Sequence, residues 1–219
     1  MLNTEKPNIV ASITSNLEEK TVEAERKGAN AVEVRLDLYN GNIQDLEDLE
    51  LPVIVTNRPD WEGGEHTGTE GERIRELKEA IEHADAVDIE LEAKEQHQEI
   101  IEEAKKQDAT VIVSSHDFQK TPDVEKMKRN LEKSGEIGDI AKLAVKAENK
   151  EDSIKLLKAT EEVEEEVSTM AMGSPGSYTR IVSSVHGSKI TYASLGEKTA
   201  PGQLSVEEVK QAFEKLNLR

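Results

Sequence analysis

TVIVSSH at residues 110–116 and DIAKLAVK at residues 139–146, joined by an amphipathic charged stretch at 122–134, decide the fold. The two outer runs have the composition and alternation of buried β-strands, and the stretch between them has helical periodicity. A strand, a helix and a second strand in this order predict a parallel pair joined by a right-handed crossover. The same alternation extends in both directions along the chain.

Eight short runs are predicted to be strands, and helical segments separate most of them. The strands are expected at 8–14, 31–37, 52–58, 86–91, 110–116, 139–146, 167–172 and 189–195. The helices are expected at 17–28, 71–83, 95–107, 122–134, 150–161 and 205–217, with at most a short helix at 43–49 and a Ser/Gly-punctuated connection at 174–186. Eight such units in 219 residues match a compact (β/α)8 TIM barrel. No linker divides the chain, so we expect residues 1–219 to form a single domain. Thr121 is expected to cap the fourth helix, with Pro122 at its first position.

The composition excludes several classes of partner. A formal net charge of −18 opposes binding to nucleic acid or to an anionic membrane. The chain has no cysteine, no apolar run that approaches about 18 residues and no leader pattern at its start. We therefore expect a cytoplasmic protein with a small-molecule partner. Most of the acidic residues are expected to be solvated helix faces.

Polar side chains share one face of several predicted strands. If the uniformly apolar faces pack under the helices, these polar sets converge inside the barrel, where an ordinary core would be dominated by Val, Ile and Leu. They lie toward the carboxyl ends of the strands, where barrel enzymes hold their active sites. The inward-facing sets are Glu33, Arg35 and Asp37; Thr56 and Arg58; Asp88 and Glu90; and Ser114 and His116.

Lys142 is the residue that most strongly suggests a reaction. It occupies the middle of an apolar strand, and a buried amine without a partner tends to lose its proton. A neutral lysine amine can condense with a ketone or an aldehyde to form an imine. The competing interpretation is a strand-end lysine whose stem packs while its ammonium reaches water. Lys146 shares the face of Lys142, and the pattern alone does not choose between them.

His116 lies at the end of the strand next to that of Lys142 and is a candidate base for removing a proton beside an imine carbon. Arg58 and Arg180 near strand ends indicate a carboxylate or phosphate site. Glu33, Arg35 and Asp37 have an equally weighted interpretation as a structural ion-pair ladder. No His/Asp/Glu cluster has metal-ligand spacing and the glycine-rich stretch at 61–68 lacks a phosphate-loop motif, so we expect no metal and no nucleotide.

A set of short motifs occurs in order along nearly the whole chain. They are Glu33-Val34-Arg35-Leu36-Asp37, Arg58-x-x-x-Glu62-Gly63-Gly64, Ser114-Ser115-His116-Asp117-Phe118, Lys142 in its strand, Met170-Ala171-Met172-Gly173, Arg180 and Ala200-Pro201-Gly202-Gln203. Their order and spacing resemble the type I 3-dehydroquinate dehydratases. That resemblance implies a TIM-barrel enzyme of the shikimate pathway, which serves aromatic amino acid biosynthesis, and it implies dehydration of 3-dehydroquinate to 3-dehydroshikimate without a cofactor. It leans toward a homodimer.

The same resemblance implies roles for individual residues. Lys142 would form a Schiff base with the C3 ketone, and His116 would remove a C2 proton and then protonate the departing C1 hydroxyl in a syn elimination. Glu62 matches the acid that orients the histidine. The expected substrate-binding residues are Ser12, Glu33, Arg35, Arg58, Arg180, Thr199 and Gln203. Thr199 stands where a serine is common in the family. Because strand one is predicted to begin at residue 8, we expect the chain to lack the N-terminal hairpin that closes the barrel bottom in many bacterial members.

Two other functions fit parts of the pattern. A class I aldolase or a transaldolase would also use a barrel lysine but would break a C–C bond, and the motifs around His116 and Gln203 favour the dehydratase. A catalytically silent ligand-binding barrel would keep the pocket without the imine.

Overall fold

The computed structural model describes residues 2–196 and 202–218. Within them, eight parallel strands form one sheet in the order β7-β6-β5-β4-β3-β2-β1-β8. Ser168 Oγ donates to the Ile190 carbonyl oxygen at 3.0 Å and Lys189 N donates to the Val167 carbonyl oxygen at 2.7 Å, so the seam between β7 and β8 is bridged. The strands are β1 (Asn8–Ile13), β2 (Ala31–Arg35), β3 (Val53–Thr56), β4 (Ala86–Glu90), β5 (Thr110–Asp117), β6 (Ile140–Lys146), β7 (Val167–Met172) and β8 (Ile190–Ser194).

Helices alternate with these strands, which confirms the expected (β/α)8 TIM barrel. Over the same described residues the α-helices are α1 (Leu17–Lys27), α2 (Glu70–Ile81), α3 (His97–Lys106), α4 (Val124–Ile137), α5 (Lys150–Glu161), α6 (Thr179–Val185) and α7 (Val206–Leu216). Short 3₁₀ helices lie at Ile43–Leu46, Asp60–Glu62 and Ser174–Gly176. The two connections without a clear helical pattern therefore contain a 3₁₀ turn and the short α6. None of the described helices is long and apolar enough to cross a bilayer.

The expected start of the fourth helix was wrong by two residues. Helix α4 begins at Val124, and Asp123 is its N-cap, accepting a hydrogen bond from Lys126 N at 2.8 Å. Thr121 instead donates its hydroxyl hydrogen to the Lys146 carbonyl oxygen at 2.7 Å. This bond ties the loop after β5 to the end of β6, a contact between distant residues that local sequence does not reveal. Asp is as good an N-cap as Thr, so both residues satisfied the sequence rule.

Apolar side chains pack in two layers on either side of the sheet. The outer layer lies between strands and helices and includes Val34, Val55 and Val113. The inner cluster fills the barrel interior with smaller and longer apolar residues: Leu2, Val10, Ala31, Ile54, Ala86, Ile112, Ile140, Ala144, Met170, Met172, Ile190 and Tyr192. The strand faces therefore point as the alternation predicted, with the polar set inside and above this cluster.

The amino-terminal segment contributes to the inner cluster. Leu2 is buried among the interior residues, and its backbone N donates to Thr110 Oγ1 at 3.0 Å. Thr110 is the first residue of β5, so Leu2 lies at the amino-terminal end of the barrel. A single leucine thus covers apolar side chains at the barrel bottom, the end opposite the polar set.

Replacing Leu77 by alanine should destabilise the protein by about 2–5 kcal/mol, because a fully buried leucine leaves a cavity that the surrounding core fills only in part. Leu77 lies in the layer between α2 and the sheet. The urea midpoint followed by circular dichroism measures the change. Leu216→Ala is the matched control: that side chain is largely exposed in the last turn of α7 and should shift stability by less than about 0.5 kcal/mol. Equal shifts in both variants would contradict this assignment of the core.

Candidate active site

A pocket at the carboxyl ends of the strands collects the residues that the sequence singled out. Its lining comes from β1, β2, β5, β6, β7 and β8, from the loop after β3, from α6 and from the segment before α7. Thr199 lies outside the described residues. The pocket is lined by Ser12, Glu33, Arg35, Arg58, Glu62, Gly63, His116, Phe118, Lys142, Ala144, Met170, Met172, Arg180, Tyr192 and Gln203.

Lys142 is buried in this pocket and has a partner. Its Nζ donates to Asp88 Oδ2 at 2.7 Å and lies 3.7 Å from Glu33 Oε1. The ring of Tyr192 lies beneath the amine, with its centroid 3.9 Å from Nζ, which is a cation–π geometry. Only 4% of Lys142 is exposed, so the interpretation as a snorkelling lysine is wrong. Lys146 is exposed, and burial therefore separates the two lysines that the alternation could not.

Asp88 accepts three hydrogen bonds although it is completely buried. The donors are Lys142, Arg58 Nη2 at 2.8 Å and Ser114 Oγ at 2.6 Å. Burial opposes the charge of Asp88, but the cations of Arg58 and Lys142 outweigh it and hold the pKa of this carboxyl well below its usual range. The amine of Lys142 thus faces a permanent anion.

Arg58 is committed to carboxylates inside the barrel. Besides Asp88, its guanidinium contacts Glu90 Oε1 at 2.6 Å and Glu62 Oε2 at 3.9 Å. Arg58 was expected to bind substrate. It lines the pocket, but its short contacts are to protein side chains, so its charge acts mainly by compensating buried anions.

His116 and Glu62 form an incomplete pair. Glu62 Oε1 accepts a hydrogen bond from the backbone N of His116 at 2.7 Å, yet it lies 3.6 Å from His116 Nδ1. Neither Glu62 Oε2 nor His116 Nδ1 has a hydrogen-bond partner among the described residues. A small rotation of either side chain would close the gap. The ring of Phe118 stacks on His116 with the two centroids 5.9 Å apart, which limits the motion of the imidazole.

The environment shifts the pKa values of both groups. Burial, with smaller effects of the Arg58 and Lys142 cations, lowers the pKa of His116 well below its usual value, so the imidazole is neutral at physiological pH. Burial raises the pKa of Glu62 to about 7, although Arg58 opposes that shift. A neutral imidazole beside a carboxyl that titrates near neutrality can accept a proton from a ligand and return it in a later step.

Two glycines allow the loop after β3 to deliver Glu62. Gly63 has a φ of +77°, a backbone conformation that residues with a side chain rarely adopt, and it ends the short 3₁₀ helix at Asp60–Glu62. A Cβ on Gly64 would lie 2.0 Å from the Arg58 carbonyl oxygen. The loop can therefore fold back on the end of β3 only with glycine at position 64, and this return points Glu62 toward His116.

Arg180 is a buried cation without a counter-ion among the described residues. It is 2% exposed on α6, and its Nη1 donates to the Tyr192 carbonyl oxygen at 3.0 Å. In that part of the chain no carboxylate lies within ion-pair distance, and Nε has no hydrogen-bond partner. Burial lowers the pKa of Arg180 to about 10. The side chain stays charged at neutral pH, so it is equipped to receive an anionic ligand.

The remaining polar residues of β1 and β2 are held by one another. Glu33 accepts hydrogen bonds from Ser12 Oγ at 2.8 Å and from Thr56 Oγ1 at 3.0 Å. Arg35 forms a two-bond pair with Asp37, at 2.8 and 2.6 Å. The ion-pair interpretation of this strand therefore holds for Arg35 and Asp37, while Glu33 faces Lys142.

Sequence reasoning gave no role to two residues that contact the amine. Asp88 was placed on the inner face of its strand, but only the fold shows that its carboxylate reaches Lys142. Tyr192 was not singled out, although the alternation that placed the other polar residues on the inner face also places Tyr192 there, in β8. A search of inner-face positions for any polar or aromatic side chain would have found both.

No group of three or more His, Asp or Glu side chains is placed to hold a metal ion within residues 2–196 and 202–218.

Comparisons with known proteins agree on one family. A family model described as type I 3-dehydroquinase matches residues 8–218. The chain is 43% identical over 221 residues to a 3-dehydroquinate dehydratase of Methanococcoides burtonii, covering 96% of this chain and 94% of that protein. It is 40% identical over 218 residues to a protein of the same name from Methanocella arvoryzae, covering 97% of this chain and 98% of that protein.

Solved structures give the same result. The crystal structure of the 3-dehydroquinate dehydratase from Aquifex aeolicus superposes with a TM-score of 0.88 and 31% identity, covering 95% of this chain and 98% of that chain. The enzyme of the same name from Geobacillus kaustophilus gives a TM-score of 0.87 and 29% identity, covering 97% of this chain and 92% of that chain.

Glu62→Gln should become more stable relative to the wild type as the pH rises from 5 to 8. A carboxyl whose pKa is raised on folding contributes stability below its unfolded pKa, and that contribution is lost as the pH rises through about 7. The glutamine keeps the oxygen that accepts from His116 N but does not titrate. The difference in free energy of unfolding between Glu62→Gln and the wild type, measured by urea titration, should therefore change by about 1–2 kcal/mol between the two pH values.

Glu65→Gln, an exposed change in the same loop, is the control and should follow the wild type at both pH values. Parallel curves for Glu62→Gln and the wild type would show that Glu62 titrates at an ordinary pH.

Proposed function

The chain belongs to the type I 3-dehydroquinase family, and on that premise we propose a role for each side chain of the pocket. It is a hydro-lyase that dehydrates 3-dehydroquinate to 3-dehydroshikimate in the shikimate pathway, through a lysine Schiff base. Family membership decides against the aldolase and the silent ligand-binding barrel. The observation that carries the assignment of residues is that one pocket holds a buried amine, a neutral imidazole and a guanidinium without a carboxylate partner among the described residues.

Arg180 holds the carboxylate of the substrate. Because this guanidinium is buried without a counter-ion in the described part of the chain, an incoming carboxylate gains a charge-assisted contact without displacing a protein anion. Gln203 lines the same pocket and supplies a neutral polar group beside it. Thr199 is proposed to add a hydroxyl from the segment before Gln203. The same pocket is also lined by Ser12, Glu33, Arg35 and Arg58, which we propose bind the rest of the substrate.

Lys142 forms the Schiff base. Its Nζ, once deprotonated, attacks the C3 carbonyl carbon, and the carbonyl oxygen leaves as water after proton transfer. The positive charge then rests on the imine nitrogen. Asp88 remains 2.7 Å from the position of that nitrogen, and the ring of Tyr192 lies beneath it, so both stabilise the cation.

His116 carries the proton through the elimination. The neutral imidazole removes a proton from C2, and the electron pair flows into a C2–C3 double bond and neutralises the imine nitrogen. The electron pair of this C2–C3 double bond then forms a C1–C2 double bond and expels the C1 hydroxyl, which takes the proton from the imidazolium and leaves as water. The nitrogen becomes an imine cation again, and hydrolysis frees the product and Lys142. Glu62 stabilises the transient imidazolium by closing the 3.6 Å gap to Nδ1.

Further properties are proposed on related grounds. No cofactor is required, because the protonated imine on Lys142 is itself the electron sink of the reaction. Nucleic acid is not a partner, since a net charge of −18 repels it. Residues 1–219 act as one catalytic domain. We place the protein in the cytoplasm because the polar, anionic intermediates of the pathway do not cross membranes unaided. The homodimer that the family resemblance implies is proposed as well.

Borohydride should trap the substrate on Lys142 and nowhere else. The wild type incubated with 3-dehydroquinate and borohydride should gain one substrate-derived mass, located by peptide mass spectrometry, because reduction of the imine fixes the C–N bond. Lys142→Ala should gain none. Lys146→Ala, which removes the exposed lysine of the same strand face, should be labelled as the wild type is. Labelling at another lysine would overturn the assignment.

His116→Ala should form the imine but turn over slowly. Loss of a general base typically lowers the rate by about 10²–10⁴-fold, while attack by Lys142 does not require this imidazole in the same step. Absorbance of the conjugated product measures turnover, and borohydride labelling measures imine formation. His186→Ala, which changes a half-buried histidine after α6, is the control and should keep wild-type turnover. Full activity in His116→Ala would refute the role of base.

A further inference from the structure

Arg73 belongs to the outer helix α2, yet its side chain is completely buried. Its guanidinium extends inward and contacts Glu90 Oε2 at 2.8 Å. On the outer side it forms two hydrogen bonds with Glu70, at 2.8 and 2.7 Å. The atom that lies nearest Glu90 is Nη1, which makes an ion pair with it but donates its hydrogen bond to the Asn57 carbonyl oxygen at 2.7 Å. All three guanidinium nitrogens of Arg73 therefore have partners, and these contacts connect helix α2 to the charged residues inside the barrel.

Arg73 is the last buried cation in a series of alternating charges that begins at the reactive amine. Each neighbouring pair lies within 2.9 Å: 2.7 Å from Lys142 to Asp88, 2.8 Å from Asp88 to Arg58, 2.6 Å from Arg58 to Glu90, 2.8 Å from Glu90 to Arg73 and 2.7 Å from Arg73 to Glu70. Glu70 is partly exposed, so the series ends in solvent at the first turn of α2. The members are Lys142, Asp88, Arg58, Glu90, Arg73 and Glu70, and we call them the charge series.

Other titratable groups face the charge series among the described residues. Tyr192 lies beneath Lys142, and Arg35 is near enough to Arg58 for the two charges to interact. His66 is near enough to affect the pKa of Glu70. Glu62 lies 3.9 Å from Arg58 and Glu33 lies 3.7 Å from Lys142. From α3, His97 Nε2 contacts the Glu90 carbonyl oxygen at 2.9 Å. His116 is near enough to Asp88 and Lys142 for their charges to affect its pKa. The balance of charge around Lys142 and His116 therefore depends on whether each member of the series is present and ionised.

Glu90 is the member most sensitive to Arg73. Burial raises the pKa of Glu90; the Arg58 and then the Arg73 cation oppose that shift, while the Asp88 and Glu62 carboxylates add to it. Without Arg73, Glu90 loses one of the two cations that favour its charge; with Glu90 still ionised, one buried negative charge more than in the native protein lies beside Arg58. Arg58 would then interact more strongly with Glu90 and less with Asp88, which would leave Asp88 to hold the proton of Lys142 more tightly.

Arg73 also determines where Arg58 leaves the sheet. Asn57, whose carbonyl oxygen Arg73 binds, is the residue directly before Arg58. The Asn57 side chain in turn donates to Glu76 Oε2 at 2.7 Å, on the same helix. The Asn57 side chain also donates to the Arg73 carbonyl oxygen at 3.5 Å, so Asn57 is bound to α2 by three hydrogen bonds, and the one at its backbone carbonyl needs the Arg73 guanidinium.

We propose that Arg73 is a positioning residue for the dehydration, acting through Glu90 and the Asn57 carbonyl on Arg58, and through Arg58 on Asp88 and Lys142. Arg73 lies behind Glu90 and does not line the pocket. This inference rests on the assignment of Lys142 and His116 made above. Trapping on Lys142 in the wild type tests that assignment separately, so failure of one can be distinguished from failure of the other.

The test is a charge cycle made of Arg73→Gln, Glu90→Gln and the double variant. The pH profiles of kcat and of kcat/KM are measured for each, with fold and the active fraction checked by circular dichroism and by borohydride labelling. Arg73→Gln should lower kcat at pH 7 by about ten- to a hundredfold, with KM changed by less than about threefold. The acid limb of its pH profiles, where the rate rises with pH, should move to higher pH because the extra negative charge favours protonated Lys142 and His116.

Glu90→Gln should move the acid limb in the opposite direction, since it leaves an extra positive charge. The double variant restores the charge balance, so its acid limb should return toward that of the wild type, and its kcat should exceed that of Glu90→Gln. This last comparison stands even if Arg73→Gln alone does not fold. Arg75→Gln, an exposed arginine on the same helix, is the control and should match the wild type in every profile.

Two results would overturn the proposal. The first is an Arg73→Gln enzyme that is less stable but has wild-type kcat and pH limbs per folded molecule, which would make Arg73 purely structural. The second is a double variant whose losses are the sum of those of the single variants, which would show that Arg73 does not act through Glu90.

Discussion

The carboxylate of Asp88 is the constraint on which the interior of this barrel depends. It is fully buried and accepts hydrogen bonds from Lys142, Arg58 and Ser114. An anion removed from water costs several kcal/mol unless cations and donors replace the lost hydration. The need to satisfy that charge keeps the reactive amine at one position and orientation. It also explains why Arg58, although it lines the pocket, makes its short contacts with the carboxylates of the protein.

Catalytic capacity follows from how the remaining charges are distributed around this anion. The protein compensates the charges of Asp88 and Lys142, keeps His116 neutral by burial and leaves Arg180 without an acidic partner in the described chain. In the roles proposed above, Arg180 is the cation for the carboxylate of a keto acid, Lys142 the amine for its ketone and His116 the base for its carbon acid, all in one pocket. The same burial that makes these states costly to maintain makes the electrostatic contacts strong.

Much of the fold and part of the site were predictable from local pattern. Alternation along β2 to β6 placed Glu33, Arg58, Asp88, His116 and Lys142 on the inner face, because side chains in a strand alternate strictly between two sides. Helix starts were less secure: Thr121 and Asp123 are both good caps, and only a bond from Thr121 to the distant Lys146 carbonyl separates them. The roles drawn from family resemblance concern chemistry, and residue by residue they remain proposals.

Short-range periodicity was enough to predict the barrel and the face on which each strand residue lies, and the residue types on that face indicated imine chemistry. The packed fold was needed to show that Lys142 is buried and Lys146 exposed, that Asp88 is the partner of the amine, and that Arg73 reaches Glu90 from outside the sheet. These contacts join residues far apart in the chain. Their energies come from burial and from distances of a few ångströms, which exist only once the strands are paired in register and the helices packed on them.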